Sequence, residues 1–390
     1  MLDANQRSAL AIIRSLGRRG LEIIAGDHVA NALGAASRYV TASVRYPDPA
    51  ASPDSFVSEI ISLAEQRGID TIVPATDLTT MLLVSQPSLS KIARLGVPPA
   101  ASYEKLTDKA TLVNLAGQLG VTVPETRVAN TRDLILTATH EIGFPIVLKP
   151  ARSRYFKESR VVSTSVEIAK DHERLLAALD RMDWLADIPC LVQRFIPGHG
   201  AGIFAFYASG EPSAWFAHRR LREKPPVGGV SVLSESVPID PVMRSAAVKL
   251  LSSAGWTGVA MIEFRVGTDG TPYLMEVNGR FWGSLQLAID CGIDFPWLVY
   301  SQLHSLPLQG PAPYTVGKRL RWLLGDLDSL LIGLRRDPAD HVHNASAIGS
   351  FIRSFWDSGC RQETLRLSDP APGIRELANW LRALRTARAS

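Results

Sequence analysis

Val259-Ala-Met-Ile-Glu-Phe-Arg-Val-Gly-Thr-Asp-Gly-Thr-Pro-Tyr-Leu-Met-Glu-Val-Asn-Gly-Arg-Phe-Trp-Gly-Ser284 gathers two acids, an amide and a basic residue into one short stretch. Val259–Val266 and Pro272–Asn278 are rich in β-branched and aromatic residues, and Gly267-Thr-Asp-Gly270 between them supplies what a tight turn needs. The stretch therefore reads as a β-hairpin. If Val266 pairs with Thr271, alternation puts Glu263, Glu276 and Asn278 on one face, with the two glutamates as diagonal neighbours about 7–8 Å apart. Two carboxylates and an amide oxygen with no positive side chain interleaved repel unless a cation lies between them, and hard oxygen ligands select Mg²⁺ or Mn²⁺. Arg280, just past the strand, can then reach a phosphate or carboxylate bidentately. A surface hairpin with its glutamates in water would read the same, so the rest of the chain has to decide.

Composition bounds that decision. A chain of 390 residues, 46% hydrophobic and 21% charged, has the length of two or three domains and can bury a large core. Net charge is only +4, and Lys and Arg are spread rather than massed with aromatics, so nucleic-acid binding has no strong electrostatic footprint. Cys190, Cys291 and Cys360 are far apart, match no metal spacing and fit a reducing compartment where they simply pack. No apolar run approaches the roughly 18 residues needed to span a bilayer, and the N-terminus lacks a signal-peptide core. A cytoplasmic location without stable membrane insertion is the expectation, and a homodimer is left open.

The first hundred residues alternate α and β. Helices are expected over Ser8–Gly20 and Phe56–Arg67 and strands over Leu21–Ala25 and Thr71–Pro74, which together imply a parallel sheet. Asp3-Ala-Asn5 has the character of a loop after a strand, yet only Met1 and Leu2 precede it, so a truncated first strand is expected. No G-x-G-x-x-G follows, and dinucleotide binding is not indicated. Asp77 lies at the carboxyl end of a strand, where it either faces a crevice or, with Thr76, caps the next helix.

Further along, Asp108-Lys109 opens a helix over Ala110–Leu119, and Phe144-Pro-Ile-Val-Leu-Lys-Pro150 is a buried strand whose single lysine is followed by proline. The segment Ala151–Ser159 is basic and poor in glycine, with Arg152, Arg154 and Lys157 followed by Arg160; it reads either as side-chain charge replacing backbone donors or as a mobile lid. Val166–Leu179 reads as a helix and Cys190–Gly198 as a strand broken by Pro-Gly. Gly202–Ser209 and Ala214–Arg220 pair around Gly210-Glu-Pro and deliver His218-Arg-Arg-Leu-Arg222-Glu-Lys224 towards Pro225-Pro-Val-Gly-Gly229, a setting that suits an anion. Asp240–Ala254 is expected to be a helix. Lys318–Arg336 carries an apolar stripe (Leu320, Leu323, Leu324, Leu327, Leu330) among basic residues, as in a helix that packs on its own domain or touches a membrane surface.

Taken together, Glu263-Phe264 followed by Met275-Glu-Val-Asn-Gly-Arg-Phe-Trp-Gly-Ser284 resembles the metal-binding end of an ATP-grasp domain, with Gly279 where that family usually has proline. The resemblance implies a mixed α/β and α+β architecture: a Rossmann-like domain over 1–100, a two-lobed ATP-grasp module over 101–305 and a helical region over 306–390. It implies ATP with Mg²⁺ or Mn²⁺ as cofactors. Lys109, Lys149 and the hinge residues Gln193, Arg194, Phe195 and Ile196 would hold the nucleotide, with Arg194 standing where many members have glutamate. Glu263, Glu276 and Asn278 would hold metal, and Arg280, Arg219 and Arg220 would act on the reacting groups. The activity implied is ligation of a small-molecule carboxylate to an amine through an acyl phosphate, releasing ADP and phosphate. A bicarbonate-activating carboxylase and a non-catalytic nucleotide-binding protein share much of this pattern.

Overall fold

The computed structural model describes residues 1–158, 160–226, 229–308, 310, 313–336 and 341–389. Ser159 of the basic segment, Val227-Gly228 of the loop after Lys224, and 309, 311, 312, 337–340 and 390 of the C-terminal region lie outside the described residues.

The largest sheet is seven-stranded, in the order Pro272–Asn278, Gly258–Gly267, Gly198–Ala208, Glu211–Lys224, Val230–Ser236, Arg319–Arg321, Cys360–Gln362. All neighbours are antiparallel except the last pair. Ile203-Phe-Ala-Phe-Tyr207 in its centre is apolar without interruption because the sheet is covered on both sides. Phe204 and Phe206 pack with Phe216, Trp282 and Phe295 on one face; Ile203, Ala205 and Tyr207 pack with Leu250 and Trp256 on the other. The second face is covered by the helix Pro241–Ser253, whose Asp240 cap accepts from the amides of Val242 and Met243.

A second, four-stranded antiparallel sheet has the order Thr126–Ala129, Cys190–Arg194, Ile146–Pro150, Glu167–Ala169. Here the expected helix over Val166–Leu179 is corrected: its first residues form the edge strand, and the helix is only His172–Leu179, starting where Asp171 accepts from the Arg174 amide. Beyond this sheet, Arg154–Lys157 and Arg160–Ser163 form a small hairpin, so the glycine-poor basic segment has regular structure.

In the first hundred residues Ile24–Asp27 pairs with Ala42–Arg45, and Thr71–Ile72 with Arg94–Leu95, both parallel as the alternation predicted. Residues 1–4 run between these pairs: Gly26 N donates to Met1 O (2.8 Å) and Leu2 N to Val73 O (3.0 Å). The helix Arg7–Gly17 buries Leu10, Ile13 and Leu16 as their spacing required. The C-terminal region is helical over Leu323–Arg336, His341–Arg353 and Ala371–Ala389, but it also supplies the last two strands of the large sheet. The single amphipathic helix expected over Lys318–Arg336 is therefore corrected to a strand followed by a helix. Among the described residues no helix is long and apolar enough to cross a membrane.

Candidate active site

The hairpin forms as expected, but its register differs in a way that decides the site. Val266 pairs with Pro272, not Thr271, and a β-bulge near Met275 shifts the pairing by one residue. Glu263 therefore lies directly opposite Glu276, and Met261 opposite Asn278. Without the bulge Glu263 would oppose Met275, and Glu276 would turn to the other face. The expected diagonal is corrected to a direct cross-strand pair, which holds Cβ atoms only about 5 Å apart.

Two carboxylates this close need countercharge, and the fold supplies it. Arg220 Nη2 lies 2.9 Å from Glu263 Oε2, and Lys109 Nζ lies 3.4 Å from Glu276 Oε2. Asn278 Nδ2 donates to Glu276 Oε1 at 3.0 Å. Burial raises the pKa of Glu263, with Arg220 opposing it and Glu276 adding to it. Burial acts the same way on Glu276, but Lys109, the Asn278 amide, Lys149 and Arg280 together outweigh it and hold that carboxyl below its ordinary range. Both side chains keep an exposed portion, 23% and 32%, so the pair opens onto solvent.

Arg220 reaches Glu263 across an intervening strand. Arg220 belongs to Glu211–Lys224 and Glu263 to Gly258–Gly267, with Gly198–Ala208 between them. Gly202 pairs with both His218 and Glu263, and a Cβ at Gly200 would lie 3.7–3.9 Å from Glu223 Oε1 and from Arg220 Nη1 and Cδ. Gly198-His-Gly-Ala-Gly202 thus presents no side chain along one face, and the guanidinium passes over it. This alternation of glycine is visible in the sequence and is the signal from which the Arg220–Glu263 contact can be read.

Both lysines converge on the same place from different elements. Asp108 caps the helix Lys109–Gln118 by accepting from the Thr111 amide at 3.0 Å, and Lys109 N donates to Ala151 O, which fixes the first turn. Lys109 is consequently buried, with its ammonium on Ser153 Oγ at 3.0 Å as well as near Glu276. Lys149 emerges from the four-stranded sheet with Nζ 2.7 Å from Gln193 Oε1 and 3.5 Å from Met275 Sδ, so the two sheets meet at this lysine. Burial lowers its pKa to about 8.

Arg280 is held by Asp77, whose carboxylate accepts from Nε at 2.7 Å and Nη2 at 3.0 Å, while Nη1 donates to Phe281 O at 2.9 Å. Thr76, not Asp77, caps the helix Asp77–Val84. Gly279 is explained by its neighbours: a Cβ there would lie 2.8 Å from the Trp256 ring and 2.9 Å from Tyr103. The turn needs no proline for stiffness, because Asp77 and these rings immobilise it.

Other expected residues lie elsewhere. Arg219 alternates to the opposite face from Arg220, where it is 54% exposed and pairs with Glu235, so its assignment to the reacting groups is corrected. Arg222 forms a bidentate pair with Asp326 (both 2.7 Å), away from the hairpin. Arg194 is exposed and pairs with Glu125. Gln193 is buried between Lys149 and Thr126 Oγ1, Phe195 N donates to Pro145 O, and Ile196 O accepts from Arg265 Nε. Among the described residues no group of three or more His, Cys, Asp or Glu gathers to hold a metal. Two carboxylates and one amide oxygen suit an ion that completes its shell with phosphate oxygens, and Glu263, Glu276 and Asn278 fit Mg²⁺ or Mn²⁺ on that ground.

Residues 189–324 match the family model described as ATP-grasp in the biosynthetic pathway with Ter operon. The chain is 27% identical over 206 residues to the arginine-specific large chain of carbamoyl phosphate synthase from Geobacillus stearothermophilus, covering 50% of this chain and 19% of that one. It thus spans about a fifth of that relative's length. Among solved structures, the biotin carboxylase–ATP complex of Campylobacter jejuni superposes with a TM-score of 0.65 at 17% identity, over 82% of this chain and 73% of that one. The biotin carboxylase domain dimer of Hydrogenobacter thermophilus 2-oxoglutarate carboxylase, with MgADP, ADP and bicarbonate, gives 0.64 at 15% identity over 82% and 72%.

Proposed function

The chain has the ATP-grasp fold, and we propose that it is an ATP-dependent carboxylate–amine ligase built as a Rossmann-like domain over 1–100, an ATP-grasp module over 101–305 and a C-terminal region over 306–390. The observation that carries this reading is the convergence of Lys109, Lys149 and Arg220 on the opposed pair Glu263 and Glu276, with Arg280 immobilised beside it.

Each group has a role in that chemistry. Lys109 and Lys149 neutralise nucleotide phosphates, as buried ammonium groups at the junction of two sheets can do. Glu263, Glu276 and Asn278 would hold the divalent ion, which when bound neutralises charge between nucleotide and acceptor oxygens. A carboxylate is a poor electrophile. Its oxygen attacks the γ-phosphorus, the bond to the ADP oxygen breaks, and the acyl phosphate so formed carries a good leaving group. The Arg280 Nη1 N–H not engaged by Phe281, with the Nη2 N–H that otherwise makes a long 3.5 Å contact to Asn278 Oδ1, can stabilise its charge. The amine nitrogen then attacks the acyl carbon, phosphate departs, and the nitrogen loses its proton to solvent or a base.

With ATP, Mg²⁺ and a competent acid but no amine, hydroxylamine should trap a hydroxamate as ADP and phosphate are released. Glu276→Gln should lower that turnover by at least a hundredfold while the fold stays near native, because shape is kept and charge is removed. Unchanged turnover in this variant would sink the assignment; AMP and pyrophosphate as products would replace acyl phosphate by an adenylate. The two carboxylase neighbours favour one second reading, bicarbonate activation, which ADP release dependent on bicarbonate without any organic acid would establish.

A further inference from the structure

Beside the hairpin lies a cavity of about 330 Å³, walled by the helices Asp77–Val84 and Ala100–Thr107 and by the strand Arg154–Lys157. Lys109, Glu276, Asn278 and Asp77 are among its lining residues. Val57, Met81, Leu82, Tyr103 and Phe156 add apolar wall, alongside the polar side chains of Asp54, Gln86 and Glu104. Arg154 belongs to the same lining. It is half-buried and lines the cavity, and among the described residues its guanidinium has no hydrogen-bond, ion-pair or ring partner. The surrounding cations are all engaged: Arg152 with Asp108, Arg280 with Asp77, Lys109 with Ser153 and Glu276.

Arg154 is also well placed. Ser153, its neighbour in the chain, accepts from Lys109 Nζ, so Arg154 lies next to the lysine assigned to nucleotide phosphate. Its strand is fastened at several points. Tyr155 Oη and Lys157 Nζ donate to Asp187 at 2.6 and 2.8 Å, and Val161 N, on the partner strand, donates to Ala50 O at 3.0 Å. Burial and Asp77 raise the pKa of the Tyr103 phenol, and Arg280, Arg154 and Arg152 oppose them.

We propose that this cavity is the acceptor site, that Arg154 binds the carboxylate to be activated, and that the acid is a small monocarboxylic acid with an apolar body. An unpaired guanidinium in a cavity that also offers apolar wall suits an anion with a hydrophobic tail. Bicarbonate would leave the apolar walls without use. The role of the bound acid rests on the ligase reading; its binding does not.

The test is calorimetric titration of the full chain, with Mg²⁺ and a non-hydrolysable ATP analogue present, using 3-phenylpropionate and hexanoate against acetate and hexylamine. The two longer acids should bind at least tenfold more tightly than acetate, and hexylamine should not bind. Arg154→Ala should weaken 3-phenylpropionate on the order of ten- to hundredfold, the range of a charge-assisted hydrogen bond, with nucleotide affinity unchanged as the control for folding. Arg154→Lys should recover part of the loss. Equal affinity for acetate, or an Arg154→Ala variant that binds as the parent does, overturns the proposal. Hydroxamate formation by the parent with unaltered acid binding in Arg154→Ala would sink this site and leave the ligase reading. Arg154-dependent binding with no hydroxamate from any acid would do the reverse.

Discussion

Lys149 takes its charge state from its surroundings. Burial lowers its pKa to about 8, Lys109 acts in the same direction, and Glu276 and Glu263 oppose them. A phosphate chain beside it favours the ammonium, so nucleotide binding must raise this pKa. Below pH 8 the lysine is already protonated and binding is at full strength; as pH rises through 8 the free protein loses the proton and nucleotide affinity falls. Between pH 8 and 9, ATP binding should therefore take up a proton, seen as different heats in two buffers of unlike ionisation enthalpy, and Lys149→Met should bind without uptake. Identical heats for the parent would remove Lys149 from the phosphate site. Stability has its own sign. The folded value lies below the ordinary 10.5, so the unfolded chain binds more protons between the two, and stability without nucleotide should rise with pH over that window. Lys149 was legible in the sequence because a strand end followed by proline aims one side chain. Asp77 was only half legible: Thr76-Asp77 after a strand carries a cap signal, and Thr76 is the cap, but the partner of Asp77 lies 203 residues away, where no local pattern points.

At the level of elements, the hairpin was readable from composition and turn residues, and so was the face shared by Glu263, Glu276 and Asn278. Its register was not, since a turn one residue longer than assumed is compensated by a bulge that leaves no mark in composition. Deleting Met275 should remove the bulge and still leave Glu276 opposite Glu263, because Leu274 stays paired with Phe264, so Mg²⁺-dependent nucleotide turnover should persist and circular dichroism should stay close to that of the parent. Turnover lost in the deletion with the fold retained would show that opposing the two carboxylates is not sufficient and that the bulge itself shapes the site. The glycines of Gly198–Ala208 make a second prediction at this scale. Gly200 has ordinary backbone geometry and its Cβ would meet Arg220 and Glu223 at van der Waals distance, so Gly200→Ala should be nearly silent. Gly200→Leu should fill the path of Arg220, separate it from Glu263 and lower turnover at least tenfold with little change in melting temperature. If the leucine variant turns over normally, Arg220 contributes nothing through Glu263. The short strand Glu167–Ala169 was misread as helix because three residues at a sheet edge are decided by the neighbouring strand Ile146–Pro150, not by their own periodicity.

Across the whole molecule, the C-terminal region is bound to the first helix through charges that are fully buried. Arg14, 2% exposed, donates to Asp369 Oδ2 at 2.9 Å and to the carbonyls of Glu363, Thr364 and Asp369. Asp369, 0% exposed, also accepts from Ser37 Oγ at 2.8 Å and from the Arg38 amide at 2.9 Å. Arg7 pairs with Glu363 and lies over the Trp322 ring, and Arg366 with Asp290 forms a further link. The contacts of Arg7 and Arg14 with Glu363 and Asp369 join residues more than 300 positions apart, so no local pattern reveals them, and the basic stretch Lys318–Arg336 reads from its sequence as a helix that packs on its own domain or touches a membrane surface. Arg321 shows the same misdirection: it sits on a short strand, is 0% exposed and pairs with Asp326 at 2.7 Å. Removing one partner of such a pair leaves an uncompensated buried charge, which costs about 3–5 kcal/mol, whereas replacing both with apolar residues costs far less. Asp369→Ala should therefore destabilise the protein by about that amount in chemical denaturation, and Arg14→Met combined with Asp369→Leu should lose much less than the sum of the two single changes. A shift below about 0.5 kcal/mol for Asp369→Ala, the level of an exposed ion pair, would mean that the strand Cys360–Gln362 and the Arg7–Glu363 pair, not this buried charge, hold the C-terminal region in place.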